Sequence, residues 1–354
     1  MRVGLDATPL LGVRAGIGRY TAGLLGGLAE GPDELVATAF TFRGRGGLAG
    51  LVPPGVRVAA RPAPARGLLE LWARGEWPPV ELLAGPVDVF HATNYVLPPL
   101  RRAKGVVSIH DLNYLHRPDT VSAASARFRE LVPRSLRRAS AVTVLTASMA
   151  DQVRAEYQPD LPIVVTSVGV DEEWFAAAAP DAALRGELGL PSDYVLFVGT
   201  LEPRKDLPTL LAAHALLPDA PPLVLVGPPG WGPQVDAAGA VATGFLTDDA
   251  LRAVVAGASV LVVPSIDEGF GIPVVEALAA GTPVVASDLP VLREVAGDLA
   301  GFATVGAPES FAAAIEAALD RPGPREARQA WAGQFTWARC AQASRSAYQL
   351  ALDS

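Results

Sequence analysis

The chain has 354 residues and a formal net charge of −8; half of its residues are apolar and 19% are charged. At about 100–200 residues per domain, this length predicts two domains, each large enough to bury its own core. No apolar run reaches the roughly 20 residues of a membrane-spanning helix. A single cysteine, Cys340, excludes an internal disulfide, and four scattered histidines beside it offer no metal-ligand cluster.

The N-terminal residues MRVGLDATPL run straight into a strand-like pattern. A secretory signal would show a basic segment, an apolar segment and a small-residue cleavage site, and none of these is visible here. We therefore expect a cytoplasmic enzyme.

The two halves of the chain differ in charge. Residues 1–168 contain 19 basic and 14 acidic side chains, whereas residues 169–354 contain 10 and 23. The first half holds a basic cluster: Arg101, Arg102, Lys104, Arg127, Arg129, Arg134, Arg137 and Arg138. Such a cluster is either a solvated helix face or a site for an anionic ligand or the inner membrane face. A nucleic-acid-binding module is a further alternative, but no aromatic platform or known reader motif accompanies these arginines.

Apolar runs of strand length alternate with helix-length segments, a pattern typical of parallel sheets covered by helices on both faces. The first series of predicted strands covers residues 2–6, 36–42, 87–91, 105–110, 141–145 and 163–165. The second series covers residues 194–198, 223–226, 241–243, 260–263 and 284–286. The sequence therefore predicts two α/β domains.

The segment 171–192 has no strand pattern and contains an alanine run, so we expect the domain boundary there. After Ala307 the pattern is helical, apart from a proline break, and its last stretch predicts one amphipathic helix. We therefore expect a first domain over 1–170, a second over 171–336 and a C-terminal helix over 337–354.

Two strand ends of the first domain carry candidate ligand-binding residues. Gly12, Gly16 and Gly18 follow the first strand and precede a helical pattern, where backbone amides can bind phosphate or another anion. Their spacing is not the GxGxxG of dinucleotide folds, so simple turn geometry is the alternative. The fourth strand delivers His110 and Asp111 to its C-terminal end, where open α/β sheets bind ligands. Such a pair can also cap a turn; His110 is the better candidate.

Adjacent Arg204 and Lys205 follow the first strand of the second domain, after a turn that contains Gly199. Basic side chains are disfavoured near helix N-termini, so this placement indicates an anion between them and the helix amides. A diphosphate fits, and an exposed charged turn is the alternative.

The most specific motif is EGFGIPVVE, which follows a buried strand. Pro273 is expected at the first position of a helix, with Glu268 in the preceding loop and Glu276 in the helix's first turn. The helix dipole alone would also favour Glu276. Carboxylates accept hydrogen bonds from vicinal hydroxyls, and loop amides near Gly271 and Ile272 can bind phosphate. The motif therefore predicts a sugar-nucleotide site.

Over almost its whole length, the chain resembles the retaining glycosyltransferases of family 4. The similar segments are RVGLDATPLLGVRAGIGRYTAGLL, SIHDLNYLHRP, VTVLTASMADQV, FVGTLEPRKDLPTLL, EGFGIPVVE and FTWARCAQASRSAYQLAL. The resemblance implies an α/β protein of the GT-B fold, with two facing Rossmann-like domains, parallel sheets and a C-terminal crossover helix. It places the active site in the cleft between the domains.

The resemblance also implies a role for each candidate residue. Arg204 and Lys205 would bind the donor diphosphate, Glu276 the ribose hydroxyls and Glu268 the transferred sugar. Gly16 and His110 would face the donor sugar and the acceptor from the other domain, and His110, Arg204, Lys205 and Glu268 would be catalytic. The other donor-binding positions implied are Gly199, Gly269, Phe270, Gly271 and Ile272.

The implied reaction transfers a hexose from a nucleoside diphosphate to a hydroxyl of a glycan, glycolipid or small molecule, with retention. No metal or other cofactor is expected, because cationic side chains and helix amides would stabilise the leaving diphosphate. The GIGRYT and LEPRKD segments are most similar to mannosyltransferases, which favours GDP-mannose over UDP-glucose. The alternatives are a sugar-nucleotide epimerase or hydrolase of similar fold and a catalytically silent sugar-nucleotide-binding subunit.

Overall fold

The computed structural model describes residues 1–12, 16–42, 45–59, 61–232, 237 and 239–354. The chain divides into two compact units. Unit 1 comprises Met1–His116, Ala123–Gly169 and Thr336–Ser354. Unit 2 comprises Arg117–Ser122 and Val170–Phe335.

Unit 1 is built on one parallel sheet. Its strands are β1 (Arg2–Asp6), β2 (Glu34–Thr38), β3 (Arg57–Ala59), β4 (Val89–Ala92), β5 (Lys104–Ile109), β6 (Ala141–Val144) and β7 (Ile163–Val165). They lie in the order β3-β2-β1-β4-β5-β6-β7. Strands β4, β5 and β6 are buried along almost their whole length, as expected for a parallel sheet covered on both faces. The strand order reverses between β1 and β4, which is where such sheets bind ligands.

Unit 2 contains a second parallel sheet. Its strands are β8 (Val195–Val198), β9 (Leu223–Val226), β10 (Val241–Gly244), β11 (Val260–Val263), β12 (Val284–Ser287) and β13 (Ala300–Ala303). They lie in the order β10-β9-β8-β11-β12-β13, so the order reverses between β8 and β11. The loops after β8 and β11 therefore meet at the ligand-binding edge of this sheet.

Helices alternate with the strands. The α-helices are α1 (Gly16–Ala29), α2 (Ala65–Arg74), α3 (Glu81–Ala84), α4 (Asn113–His116), α5 (Phe128–Arg138), α6 (Ala147–Tyr157), α7 (Ala182–Leu188), α8 (Leu207–Ala215), α9 (Asp248–Ala256), α10 (Ile272–Ala280), α11 (Pro290–Ala296), α12 (Pro308–Asp320), α13 (Arg325–Ala332) and α14 (Trp337–Asp353). Short 3₁₀ turns cover Thr8–Leu11, Arg45–Gly50, Pro118–Thr120, Ser125–Arg127, Glu172–Trp174, Pro203–Lys205 and Gly297–Leu299.

The predicted fold class is confirmed: both sheets are parallel, and all eleven predicted strands are present. Two edge strands, β3 and β13, were not predicted. The second strand was placed too late, because pairing with β3 ends at Thr38 and the chain then turns, with the Phe40 amide donating to Thr8 Oγ1. The helical pattern after Ala307 is confirmed by α12, α13 and α14.

Helix α14 belongs to unit 1 and packs against α1 and strands β5, β6 and β7. Glycines make room for its first residue, Trp337. A Cβ atom on Gly23 of α1 would lie 2.1 Å from Trp337 Cε2, and one on Gly169 would lie 2.3 Å from the Trp337 amide nitrogen. No real Cβ contact is that short, so the two helices depend on glycine at these positions.

We expect Gly23→Ala to destabilise unit 1 by about 1–3 kcal/mol, because the added methyl group must displace the Trp337 ring. Gly26→Ala is the matched control in the same helix, since no described atom lies within 4 Å of the Cβ it would add. That control should stabilise the helix by about 0.5–1 kcal/mol. Urea denaturation followed by circular dichroism measures both, and equal effects would contradict the packing described.

Candidate functional site

The loops after β8 and β11 in unit 2 bring three charged candidates together. Arg204 and Lys205 lie in the 3₁₀ turn Pro203–Lys205. Asp206 follows as the N-cap of α8, which begins at Leu207. Glu268 lies in the loop that leads from β11 to α10. A backbone hydrogen bond from the Ile266 amide to the Arg204 carbonyl, 2.9 Å long, joins the two loops.

Glu268 is the centre of this cluster and is only 6% exposed. Its Oε1 accepts hydrogen bonds from Lys205 Nζ at 2.5 Å and from Ser265 Oγ at 2.8 Å. Its Oε2 accepts from Arg204 Nη1 at 3.1 Å. Arg204 also donates to the Asp267 carbonyl at 3.0 Å and pairs with Glu202 at 2.7 Å. Arg204 therefore holds three groups in place.

The electrostatics of Glu268 follow from these contacts. Burial alone would raise the pKa of this carboxyl, but the charges of Lys205 and Arg204 and hydrogen bonds from Lys205 and Ser265 lower the pKa to about 2. Glu268 is therefore ionised at neutral pH and fixed between two cations. Such a carboxylate can accept hydrogen bonds from sugar hydroxyls, although much of its capacity already serves the protein.

The glycine-rich part of this loop shapes the start of α10. Gly271 is the N-cap with φ +91°, and a Cβ atom there would lie 2.6 Å from Leu292 Cδ2. Gly269 is buried, as is Phe270, whose ring packs edge-on against Phe335 with centroids 5.8 Å apart. Ile272 is the first helical residue and is half-buried. Pro273 has no amide proton and the Val274 amide donates to the Gly271 carbonyl at 2.9 Å, so the Ile272 amide is the group at the start of α10 that can serve an anion.

Two details of the α10 prediction were wrong. The helix begins at Ile272, so Pro273 is its second residue rather than its first. Glu276 is the fifth residue and lies beyond the first turn, where the helix dipole no longer favours a carboxylate strongly. The dipole therefore explains Glu276 less well than expected. Glu276 is nevertheless only 5% exposed, and burial of a carboxylate needs a reason.

The C-terminal end of α10 is held by unit 2 itself. Arg328 of α13 is buried and donates from Nε and Nη2 to the Gly281 carbonyl at 3.0 and 2.8 Å. Gln329 donates to the Ala279 carbonyl at 3.0 Å. These contacts satisfy carbonyl groups at one end of the helix with a cation, which complements the helix dipole. They also fix α10, whose N-terminal end follows the Glu268 loop.

Gly199 lies directly after β8, and its amide donates to the Val226 carbonyl at 2.9 Å. A Cβ atom on Gly199 would make only ordinary contacts, the closest at 3.5 Å. The tight position is the neighbouring Gly227, whose Cβ would lie 2.0 Å from the Gly199 carbonyl oxygen. The sequence prediction named Gly199 and missed Gly227.

In unit 1, His110 directly follows β5 and is buried. Its Nε2 lies 2.7 Å from the Thr93 carbonyl oxygen. A carbonyl can only accept, so Nε2 carries the proton. Burial lowers the pKa of His110 against smaller opposing effects of Thr93 and Asp111, which keeps the ring neutral near pH 7. Nδ1 is therefore an acceptor, suited to a substrate hydroxyl.

The contacts of His110 show residues that the sequence prediction missed. Its ring lies edge-on to Tyr20 and Tyr95, with centroids 5.1 and 5.5 Å away. Tyr95 has φ +59°, a conformation rare for an aromatic residue, and its hydroxyl accepts from the Asp111 amide. Asp111 accepts from the Asn113 amide at 3.1 Å, so it does cap a turn. A non-glycine residue with positive φ leaves no signal in the sequence.

Asp6 at the end of β1 is a second buried group on this edge of the sheet. Its carbonyl accepts from Thr93 Oγ1 at 2.6 Å, and its carboxylate accepts from the Thr8 amide at 2.9 Å. Burial raises the pKa of Asp6 to about 6, despite hydrogen bonds from Thr8. Gly16, at the start of α1, is exposed with φ +31°. The residues between Gly12 and Gly16 lie outside the described part of the chain.

The basic cluster of unit 1 is partly paired with glutamates. Arg138 Nε lies 2.8 Å from Glu76, and Arg138 also donates to the carbonyls of residues 72, 75 and 97. Arg127 pairs with Glu70 at 2.7 Å. Arg138 is therefore structural, whereas Arg101, Arg102 and Arg137 are exposed.

No group of three or more histidine, cysteine, aspartate or glutamate side chains among the described residues is arranged to hold a metal ion. None of the helices in the described part of the chain is both long and apolar enough to cross a membrane.

Two ranges of the chain match known protein families. Residues 15–169 match the family model "Glycosyl transferase 4-like domain", and residues 184–334 match "Glycosyl transferases group 1". O-antigen chain mannosyltransferase B of Escherichia coli is 30% identical over 283 residues, which cover 74% of each chain. D-inositol 3-phosphate glycosyltransferase of Kineococcus radiotolerans is 33% identical over 54% of this chain and 52%, about half, of that protein.

Solved structures show the same fold. The Anabaena protein HepE, in complex with UDP and glucose, has a TM-score of 0.69 to this chain and covers 98% of both chains. Its sequence is 19% identical, so this likeness concerns the fold alone.

The raised pKa of Asp6 predicts a pH dependence of stability. The native state keeps the proton up to about pH 6, whereas the unfolded chain loses it near 3.8, so wild type loses stability as the pH rises through this window. Asp6→Asn cannot ionise. The free energy of unfolding of Asp6→Asn, relative to that of wild type, should therefore rise by on the order of 3 kcal/mol between pH 4 and pH 7.5. Urea melts at both values measure this, and a difference independent of pH would contradict it.

Proposed function

Because the chain belongs to the family 4-like glycosyltransferases of the GT-B fold, we propose that unit 2 binds a nucleoside-diphosphate hexose as its donor. The enzyme transfers the hexose, with retention at the anomeric carbon, to an acceptor hydroxyl of a glycan, glycolipid or small molecule. One observation carries this proposal: Arg204 and Lys205, just before α8, are hydrogen-bonded to Glu268 in the loop that leads into α10.

Charge development on the leaving group explains the need for such a cluster. When the bond from the anomeric carbon to the diphosphate breaks, negative charge builds on the diphosphate oxygens. Lys205 and the Ile272 amide at the start of α10 stabilise this charge without reorganising, since their loops are already fixed. Arg204 contributes its charge and holds the Glu268 loop through its bonds to residues 267 and 268. No metal is required in this scheme.

The two glutamates take different parts of the donor. Glu268 accepts hydrogen bonds from the transferred hexose, beside the cations that bind the diphosphate. Glu276, eight residues later and buried, accepts from the ribose hydroxyls. His110 of unit 1 presents Nδ1 as an acceptor to a substrate hydroxyl, because its Nε2 proton is engaged by Thr93.

GDP-mannose is the proposed donor, with UDP-glucose as the second choice. The mannosyltransferase from Escherichia coli matches three quarters of the chain, which supports mannose. The resemblance of the GIGRYT and LEPRKD segments to mannosyltransferases supports the same choice.

A thermal-shift panel tests the donor. GDP, UDP, GDP-mannose and UDP-glucose are added to the purified chain with and without EDTA, since specific binding raises the midpoint by mass action. We expect a shift with the guanosine compounds that EDTA does not change. No shift with any compound, in a protein shown to be folded, would refute the donor site.

We expect Lys205→Ala and Arg204→Ala each to lower kcat/KM roughly 100-fold or more, because a charge beside the leaving diphosphate is lost. This loss corresponds to on the order of 3 kcal/mol of transition-state stabilisation. Release of GDP from GDP-mannose in the presence of acceptor measures this. Arg321→Ala, which removes an exposed cation at the end of α12, is the control and should leave turnover unchanged. Near-normal turnover of Lys205→Ala would remove the diphosphate assignment.

Glu276→Ala and Glu268→Gln should separate binding from transfer. Glu276→Ala should weaken GDP binding by roughly 2 kcal/mol through the lost ribose hydrogen bonds. Glu268→Gln removes the charge that offsets Arg204 and Lys205, so GDP binding should stay equal or tighten while kcat falls. Isothermal titration with GDP and turnover assays measure the two effects. If both variants lose affinity and turnover equally, this division of roles fails.

We further propose a peripheral contact of unit 1 with an anionic membrane surface. Three apolar side chains on and after α2 and α3 are exposed: Leu71, Trp77 at 65% exposure, and Leu82. The exposed Arg101 and Arg102 donate their amides to Glu81, next to Leu82 in sequence. Apolar side chains beside cations are suited to a lipid headgroup layer.

Vesicle co-sedimentation tests this contact. The chain should bind vesicles that contain phosphatidylglycerol and not vesicles of phosphatidylcholine alone, and Trp77→Ala should weaken binding about threefold or more. Trp231→Ala removes an exposed tryptophan of unit 2 and is the matched control. Equal binding of both variants would place the contact elsewhere, and no binding to either vesicle would refute it.

A further inference from the structure

A line of buried polar side chains runs through unit 1 from the C-terminal helix to the edge of the sheet. It starts at Tyr348 of α14 and passes through His91 of β4 and Ser108 of β5 to Tyr20 of α1. All four residues are at most 1% exposed. Tyr20 in turn lies against His110, the acceptor identified above.

Each link of this line is a short contact. Tyr348 Oη lies 2.8 Å from His91 Nδ1, and His91 Nε2 lies 2.8 Å from Ser108 Oγ. Ser108 Oγ lies 3.3 Å from Tyr20 Oη and 2.9 Å from Thr143 Oγ1. The Tyr20 ring then meets the His110 ring edge-on.

We propose that Tyr348 is a positioning residue for His110, acting through His91, Ser108 and Tyr20. This inference rests on the proposed role of His110 in the reaction. It assigns to the C-terminal helix a part in the active site, although α14 carries none of the residues that contact substrate in the scheme above.

The hydrogen-bonding capacity of the line explains why one hydroxyl matters. Ser108 Oγ has one proton and two lone pairs, and its three neighbours use all of them. Burial lowers the pKa of His91 to about 3, so this imidazole is neutral and has one donor and one acceptor nitrogen. Which nitrogen carries the proton depends on both Tyr348 and Ser108. Loss of the Tyr348 hydroxyl therefore leaves a buried ring nitrogen without its partner.

The consequence for His110 follows from its two aromatic neighbours. Tyr95 is held independently of the line, by the Asp111 amide and by stacking on Phe128 at 4.4 Å. The Tyr20 hydroxyl is hydrogen-bonded to Ser108, with Thr143 and Thr166 as further partners, and both Ser108 and Thr143 lie beside His91 Nε2. When the His91 ring turns to find another partner, Ser108 and Tyr20 must adjust. The Tyr20 ring, which packs against the His110 ring, then shifts.

Nitrogen NMR of the four histidines tests this inference without any need for turnover. The full chain is labelled with ¹⁵N-histidine, and the His110 and His91 signals are assigned with His110→Gln and His91→Gln. In Tyr348→Phe we expect the His91 signals to move and the His110 ring-nitrogen signals to move with them, because the flanking Tyr20 ring shifts while Thr93 keeps the proton on Nε2. His110 signals that stay unchanged, whether or not the His91 signals move, overturn the inference.

Tyr194→Phe is the matched control, because Tyr194 is a buried tyrosine of unit 2 whose hydroxyl donates to the Val254 carbonyl at 2.6 Å. It also loses one buried hydrogen bond, yet the His110 signals should stay as in wild type. Movement of the His110 signals in both variants would indicate a general loss of packing and overturn the inference. If Tyr348→Phe does not fold, Tyr20→Phe removes the last hydroxyl of the line and should move the same His110 signals.

A kinetic comparison adds a functional readout. With GDP-mannose, Tyr348→Phe should lower kcat about fivefold and leave KM for the donor within about twofold, while Tyr194→Phe changes neither. Equal losses of kcat in both variants would overturn the positioning role. A wild-type chain that turns over neither GDP-mannose nor UDP-glucose would refute the proposed donors, whereas the NMR result would still decide whether Tyr348 acts on His110 through the line.

Discussion

The carboxylate of Glu268, buried between two cations, is the interaction on which unit 2 depends most. Removing one member of such a cluster leaves an uncompensated buried charge, which typically destabilises a protein by about 3–5 kcal/mol. The loops after β8 and β11 are therefore locked to each other before any ligand arrives. This fixes Lys205 beside the start of α10, whose other end is held by Arg328. A donor site of this kind needs little reorganisation, which is the main requirement for stabilising a leaving diphosphate.

In unit 1, neutral groups rather than charged ones fix the candidate site residue His110. His110 is held by a carbonyl and two aromatic edges rather than by charges, and burial keeps its imidazole and that of His91 uncharged. A network of neutral hydrogen-bonding groups carries no net charge, so it does not attract or repel a charged substrate as an ion would. Its weakness is that every member must be satisfied, because a single missing partner is costly in a dry environment.

The sequence predicted the strands and motifs well where a residue's environment is set locally. Strands such as β9 and β11 are continuous runs of Val and Leu because both faces are covered, whereas the edge strands β3 and β13 are only partly buried and contain no such run. The candidate residues after β8 and β11 were assigned to one ligand, and the structure shows that they also bind each other across 63 positions. The pairing of His91 with Tyr348, 257 positions apart, could not be predicted, since only the tertiary fold brings such distant side chains together.

The position of α14 in the chain has a consequence for biosynthesis. Unit 1 begins at the N-terminus, yet α14 is translated after the whole of unit 2. This helix packs Trp337 against Gly23 and Gly169 and supplies Tyr348 to the buried hydrogen bonds. During translation, the sheet of unit 1 is therefore made before α14 can pack against α1 and before Tyr348 can bond to His91. A chain stalled or cleaved before residue 337 would contain every described strand and every candidate site residue of the proposed enzyme, but an incomplete unit 1.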